Sequence, residues 1–207
     1  MTGFRTWPLE NWGILLSIIL SSLAIIFTAL RDFILPSILK PELKISYFSR
    51  PPYKRHSIVL TGSILSAFDR FRIENIGRRA AKNCRCQIYQ IVDNKGRNLD
   101  LQGFPLKWAN WPDMSGGFEK KERINISRGE SEFVDLVYMR GDDTTKIFLS
   151  SYEKEIFGKG DNIEIGNYTF HVIISGDNFK PYLASFEIKR DTKLDGFEIK
   201  LLEERRK

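Results

Sequence analysis

The chain has 207 residues, which is enough for one folded domain and a membrane anchor but too short for two domains and an anchor. Its net charge of +6 comes from 32 Lys and Arg against 26 Asp and Glu, spread along the sequence. This excess suits an anionic membrane surface or an acidic partner, and it is too small to indicate nucleic-acid binding. The cysteines are Cys84 and Cys86, and a bridge between two such close strand residues would be strained. A disulfide framework is therefore excluded, which fits a reducing compartment.

An apolar segment lies near the N-terminus. No residue from Asn11 to Leu30 is charged, and the run from Gly13 to Leu30 consists mainly of Ile, Leu and Phe. About twenty helical residues span roughly 30 Å, the thickness of the bilayer hydrocarbon. A cleaved signal peptide would have a basic start and a small-residue cleavage site, and a core helix would be amphipathic. We therefore predict a short tail over 1–11 and a retained transmembrane helix over 12–30.

Basic residues are more numerous after this segment than before it. Arg5 precedes it, whereas four basic residues follow it closely: Arg31, Lys40, Lys44 and Arg50. Because positive residues resist translocation, we expect a single-pass protein of the cell membrane whose C-terminal domain is cytoplasmic.

Residues 31–55 are predicted to form a juxtamembrane segment. It ends in a stiff basic stretch around Pro51-Pro52 that contains Arg50, Lys54 and Arg55. One alternative is that these three side chains contact anionic lipid, which is worth about 1 kcal/mol per basic residue. The other is that they belong to a solvated linker, whose positive charge only reflects the excess of Lys and Arg on the cytoplasmic side of a membrane helix. The sequence leaves both alternatives open.

Beyond this segment, apolar and polar residues alternate with the period of two that is typical of strands. Turn sequences rich in Gly, Asn and Asp separate the alternating runs. The pattern predicts a mainly β domain over 56–202, an antiparallel sandwich of about 8–10 strands, followed by a charged tail over 203–207. The predicted core rows are Cys84, Cys86, Ile88 and Val92; Val134, Leu136 and Tyr138; Tyr168, Phe170, Val172 and Ile174; and Tyr182, Ala184, Phe186 and Ile188.

Short motifs in this domain carry a family resemblance. A strand ending in Asn75-Ile76-Gly77 is followed by the small residues Ala80-Ala81, and later stretches read Ile126-Ser127-Arg128-Gly129-Glu130 and Gly166-Asn167-Tyr168. Residues 66–190 thereby resemble the immunoglobulin-like sandwiches of the bacterial and archaeal cell-adhesion-related (CARDB-type) domains. The insertion over 101–122 departs from that pattern. The resemblance implies a fold and a binding or spacing role, with no site residues.

Sequence signals for catalysis and for metal binding are missing. The chain has two histidines, His56 and His171, and no His/Cys/carboxylate grouping with zinc spacing. It has neither a Gly-x-Ser-x-Gly nucleophile elbow nor a Gly-rich phosphate loop. We therefore expect no enzymatic activity, no cofactor and no metal site.

Two groups of residues are candidates for partner binding. The long segment from Leu101 to Phe118 contains Phe104, Trp108 and Trp111, and aromatic side chains on loops are common interface anchors. The alternative is that Trp108 fills the sandwich core and Trp111 caps one end. Arg78 and Arg79 could meet acidic groups, or they could be an ordinary solvated face.

Taken together, these patterns predict a non-enzymatic interaction module. It would be anchored by one transmembrane helix and would bind a protein partner at the membrane surface, with no role for nucleic acid. The alternative is a membrane-tethered sensor or small-ligand-binding domain. The identity of the partner and the oligomeric state do not follow from the sequence.

Overall fold

The computed structural model describes residues 10–35, 39–59, 64–99, 103–109, 122–151, 155–156, 159–160, 162–190 and 196–206. It divides into two compact units, Met1–Lys40 and Pro41–Lys207.

The first unit is helical. Helix α1 (Glu10–Ala29) continues into a π-helical turn over Leu30–Ile34. The stretch Trp12–Ile34 has 23 residues and a mean hydropathy of 2.5, so it is long and apolar enough to cross a membrane. Two of its hydroxyl groups bond within the helix: Ser22 Oγ donates to the Ile18 carbonyl and Thr28 Oγ1 to the Ala24 carbonyl, both at 2.8 Å. The apolar helix is thus confirmed, and it extends past the residue 30 at which the prediction ended.

The second unit consists of strands. Their bounds are β1 (Leu43–Ser46), β2 (Lys54–Val59), β3 (Ile64–Asn75), β4 (Ala81–Asp93), β5 (Phe104–Pro105), β6 (Lys107–Trp108), β7 (Ile124–Ile126), β8 (Ser131–Arg140), β9 (Asp143–Leu149), β10 (Glu155–Ile156), β11 (Lys159–Gly160), β12 (Asn162–Glu164), β13 (Tyr168–Ser175), β14 (Tyr182–Arg190) and β15 (Phe197–Arg206).

Two antiparallel sheets form this unit, which confirms the predicted mainly β, two-sheet fold. The first sheet has the order β1-β3-β8-β9-β12, with β2 also pairing with β3 and β6 with β8. The second has the order β15-β14-β13-β4-β5, with β7 pairing with β4. One hydrophobic core joins the inner faces of both sheets, and the rings of Phe71 and Phe186 meet across it at 4.9 Å. Strands β10 and β11 form a separate hairpin.

The predicted core rows hold where strands are regular and fail at bulges. In β14 the row from Tyr182 to Ile188 is buried as predicted. In β4, a register shift opposite His171/Val172 reverses the alternation, so that Ile91 is buried in place of the predicted Val92. In β8 a similar shift turns Tyr138 outward and places Met139 in the core. An extra residue changes the face of every side chain after it.

The compact unit begins at Pro41, before the predicted domain start at residue 56. Leu43 and Ile45 in β1 are both 3% exposed and belong to the core. Side chains of the second sheet hold the outer side of β1. The N–H of Leu43 donates to the Tyr182 hydroxyl at 3.2 Å, and the N–H of Ile45 donates to the Glu204 carboxylate at 2.9 Å. Residues 203–206, predicted as a charged tail, are part of β15.

Candidate functional site

The aromatic residues predicted as partner anchors are core residues where the structure describes them. Phe104 is 0% and Trp108 is 1% exposed. The Trp108 indole N–H donates to the Glu122 carbonyl at 3.1 Å, which satisfies its polar group. Trp111 lies outside the described residues. Phe104 and Trp108 present no surface to a partner, so the core-filling alternative describes Trp108.

Arg78 and Arg79 are exposed on the turn between β3 and β4. The buried Asn75 organises this turn. Its amide nitrogen donates to the Arg79 carbonyl at 2.7 Å and to the Ile126 carbonyl at 2.9 Å, and its Oδ1 accepts from the Gly77 N–H at 3.0 Å. The Asn-x-Gly motif therefore has a structural role in this turn. Both arginine residues are exposed at this turn, and neither lines the groove described below.

The three basic residues of the predicted lipid contact have different environments. The Lys54 ammonium donates to the Phe197 carbonyl of β15 at 2.7 Å and is half-buried. Arg55 is exposed on β2. Arg50 is exposed on the loop between β1 and β2, and its guanidinium lies 5.5 Å from the centre of the Phe48 ring.

This loop forms one wall of a groove on the first sheet. The groove has a volume of about 420 Å³. Its lining combines residues of this loop with one residue of β3 and one of β8. The lining residues are Phe48, Arg50, Pro51, Pro52, Tyr53, Arg72 and Phe133. We call it the loop groove.

Tyr53 fixes the loop against the sheet. The residue is 6% exposed, and its ring makes edge contacts with Phe48 at 5.2 Å and with Phe133 at 5.4 Å. Its carbonyl accepts from the Arg70 N–H at 2.9 Å, and its own N–H donates to the Arg50 carbonyl at 2.9 Å. These contacts hold the wall of the groove in one conformation, so a ligand would find it largely preformed.

Two arginine residues line the groove. Arg50 is exposed on the loop, and Arg72 of β3 is half-buried. Arg72 Nη2 lies 3.2 Å from Glu74 Oε2, which engages one part of the guanidinium. Its Nε is buried, and no hydrogen-bond acceptor for it is found among the described residues. A buried donor without an acceptor is costly, and an anion in the groove would supply one.

Two buried carboxylates lie on the strands that contribute to the groove: Asp69 precedes Arg72 on β3, and Asp135 follows Phe133 on β8. Asp69 is 2% exposed and accepts from the Tyr47 hydroxyl at 2.7 Å. Asp135 pairs with Arg70, with 2.9 Å between Oδ1 and Nη2. Burial raises the pKa of each carboxyl to about 6, although neighbouring cations act in the opposite direction. Both carboxylates belong to the structure of this sheet. Neither Asp69 nor Asp135 lines the groove.

The sequence had pointed to Arg50 but not to the rest of the groove. Arg72 and Phe133 look like ordinary outward residues of two strands, and Phe48 and Tyr53 lie in the predicted juxtamembrane segment over 31–55. The register places Arg72 directly opposite Phe133, which brings them under the loop. The available signal was the dense mixture of aromatic, basic and proline residues over 47–55.

Cys84 and Cys86 are free and buried, as the alternation predicted. Burial raises the pKa of the Cys84 thiol to about 12. His171 lies on the outer face of β13, where its Nδ1 is 2.8 Å from the Ser185 hydroxyl. Among the described residues, no three His, Cys, Asp or Glu side chains are grouped so as to hold a metal ion.

Comparisons of the chain with protein-family models, with curated proteins and with solved structures found no match.

Proposed function

We propose that the chain is a single-pass membrane-anchored β-sandwich binding module, and that the loop groove holds an anionic group, a phosphate or a carboxylate, of its ligand. The buried Arg72 Nε without an acceptor is the observation that carries this proposal. The protein-partner interpretation depended in part on Phe104 and Trp108, and both residues are buried. We therefore favour the ligand-binding alternative. The module has no catalytic role in this proposal.

The composition of the groove supports an anion of modest size. Two guanidinium groups can share one phosphate or carboxylate with paired N–H donors. The aromatic side chains Phe48, Tyr53 and Phe133 supply apolar surface for the rest of a ligand. A cavity of about 420 Å³ falls within the range of small-molecule sites, about 300–1,000 Å³.

The apolar helix and the basic residues that follow it support an anchored module with a cytoplasmic domain. The strand order supports an immunoglobulin-like sandwich. In the first sheet β1, β3, β8 and β6 are neighbours, and in the second β14, β13, β4 and β5 are neighbours. This arrangement corresponds to the A-B-E-D and G-F-C-C′ strands of that fold.

Ligand-dependent stability of the full chain tests the groove. Purified protein in neutral detergent would be titrated with inorganic phosphate, and protein in nanodiscs with and without phosphatidylserine would be compared by hydrogen exchange of residues 47–53. Binding to the folded state raises the melting temperature or slows exchange in the loop. A phosphate effect in detergent identifies a soluble anion, and protection confined to anionic discs identifies a lipid headgroup.

The variant Arg50→Gln/Arg72→Gln tests the residues. Loss of two charge-assisted contacts, at about 1.5–3 kcal/mol each, should weaken binding by at least about tenfold. Arg78→Gln/Arg79→Gln changes the net charge equally on an exposed turn and should bind as the native chain does. Equal weakening by both variants would show nonspecific charge attraction, and no response to either anion source would refute the groove as a site.

A further inference from the structure

Strand β15 forms a long edge of the second sheet. It spans Phe197–Arg206 and pairs with β14, and within the described residues no strand pairs with its other side. Edge strands in soluble proteins are usually short or covered, because their unpaired backbone groups invite another strand. The edge strand β1, by comparison, has four residues, and side chains of β14 and β15 hold its outer amides. The length of β15 therefore requires an explanation.

A bulge in β15 places four charged residues on one face. Glu198 and Lys200 lie opposite Lys189 and Glu187 of β14. The register then shifts, and Glu203 and Arg205 lie opposite Ser185 and Leu183. These four β14 positions alternate with the buried Ala184, Phe186 and Ile188, so all four charges project away from the core.

The order of these charges is self-complementary. Read toward the C-terminus it is Glu198, Lys200, Glu203, Arg205, that is, negative, positive, negative, positive. An antiparallel second copy presents the reverse order. With the two-fold axis between Leu201 and Leu202, Glu198 faces Arg205 of the second copy, and Lys200 faces its Glu203. The symmetry doubles both contacts, so every charge on this face meets an opposite one.

The centre of the strand is apolar. Leu202 is 48% exposed and sits at the bulge, next to the proposed axis. Leu201 packs against the core from the same edge. An exposed leucine between charged pairs is the arrangement expected at the middle of a strand–strand contact, where it would be covered by the same residues of the second copy.

We infer that β15 is a homodimerisation edge, on which a second copy of this chain adds its own β15 antiparallel and joins the two second sheets into one. Backbone hydrogen bonds provide the attraction, and the charge order fixes the register. The contact closes on itself because each copy uses its single β15, so it yields a dimer and not a fibre. The groove proposal is independent of it, since none of its lining residues belongs to β15.

Charge reversal in the full chain tests the register. In mild detergent, light scattering over a concentration series should show a dimer of the native chain. Lys200→Glu places like charges opposite each other twice and should weaken the dimer roughly tenfold, as should Glu203→Lys. The double variant Lys200→Glu/Glu203→Lys exchanges the charges and should restore the native affinity. Lys95→Glu reverses an exposed lysine on the β4 turn and should leave the dimer unchanged.

A dimer affinity restored in the double variant supports the β15 contact. If either single change acted by damaging the fold, the damage would persist in the double variant or add to that of the other change. Three results would overturn it: a native chain that is monomeric at every concentration, a dimer insensitive to the single reversals, or a double variant as dissociated as the single ones. A dimer held by the apolar helix alone would give the second result.

Discussion

Replacement of Asp69 by asparagine should stabilise the domain at neutral pH. Asp69 is 2% exposed, and burial raises the pKa of its carboxyl from 3.8 to about 6. The hydrogen bond from Tyr47 and the cations Lys54, His56 and Arg70 lower this pKa, but burial has the larger effect. Asparagine keeps an acceptor for the Tyr47 hydroxyl while removing the charge that burial disfavours.

The sign and size follow from linkage. The pKa of Asp69 is higher in the folded than in the unfolded chain, so its contribution is fully present below about pH 4 and is lost as the pH rises through about 6. A shift of about two units corresponds to roughly 3 kcal/mol. The Asp69→Asn variant should therefore match the native chain near pH 4 and exceed it by up to about 3 kcal/mol at pH 7.5. Asp135 keeps its own raised pKa, so the variant retains some pH dependence.

Urea unfolding of the full chain in detergent, followed by tryptophan fluorescence at several pH values, measures this difference. Asp142→Asn is the matched control. Asp142 is exposed, and its hydrogen bond with Arg140 lowers its pKa, so its contribution is present at neutral pH and is lost on acidification. Its variant should be less stable than the native chain at pH 7.5. A loss of stability in Asp69→Asn at pH 7.5 would refute the reasoning, because the charged form would then be the favoured one.

Two further predictions concern the core. Trp108→Ala should destabilise the domain by about 3–5 kcal/mol, whereas Trp108→Phe should cost less, as measured by urea unfolding; a neutral Trp108→Ala would contradict its burial. Cys84 and Cys86 should react with a thiol reagent only after unfolding, because burial raises the pKa of both thiols; rapid labelling of the native chain would contradict this.

The alternation of apolar and polar residues predicted the mainly β fold class. It also predicted which face of a strand is buried wherever the alternation is regular. In β14 the row from Tyr182 to Ile188 is correct because no bulge interrupts it. The rows containing Val92 and Tyr138 are wrong at their ends, because bulges in β4 and β8 depend on pairing with distant strands. A period of two contains no information about where a partner strand forces an extra residue.

The site was less accessible to sequence reasoning than the fold. The sequence left Arg50 and the prolines after it as either a lipid contact or a solvated linker, and neither alternative included a groove. Their role depends on Tyr53, which packs on Phe133 from far along the chain. The Trp108 side chain shows the reverse case. The sequence left a partner anchor and a core residue as alternatives for Trp108, and the pairing of β6 with β8 places the side chain in the core.

The side-chain contacts on β1 determine when the domain can finish folding. Leu43 is bound by Tyr182, 139 positions later, and Ile45 by Glu204, 159 positions later. During synthesis β1 leaves the ribosome well before β14 and β15, which carry these two acceptors. The outer amides of β1 therefore lack these two acceptors until β14 and β15 have been synthesised, and the sandwich cannot be complete before then.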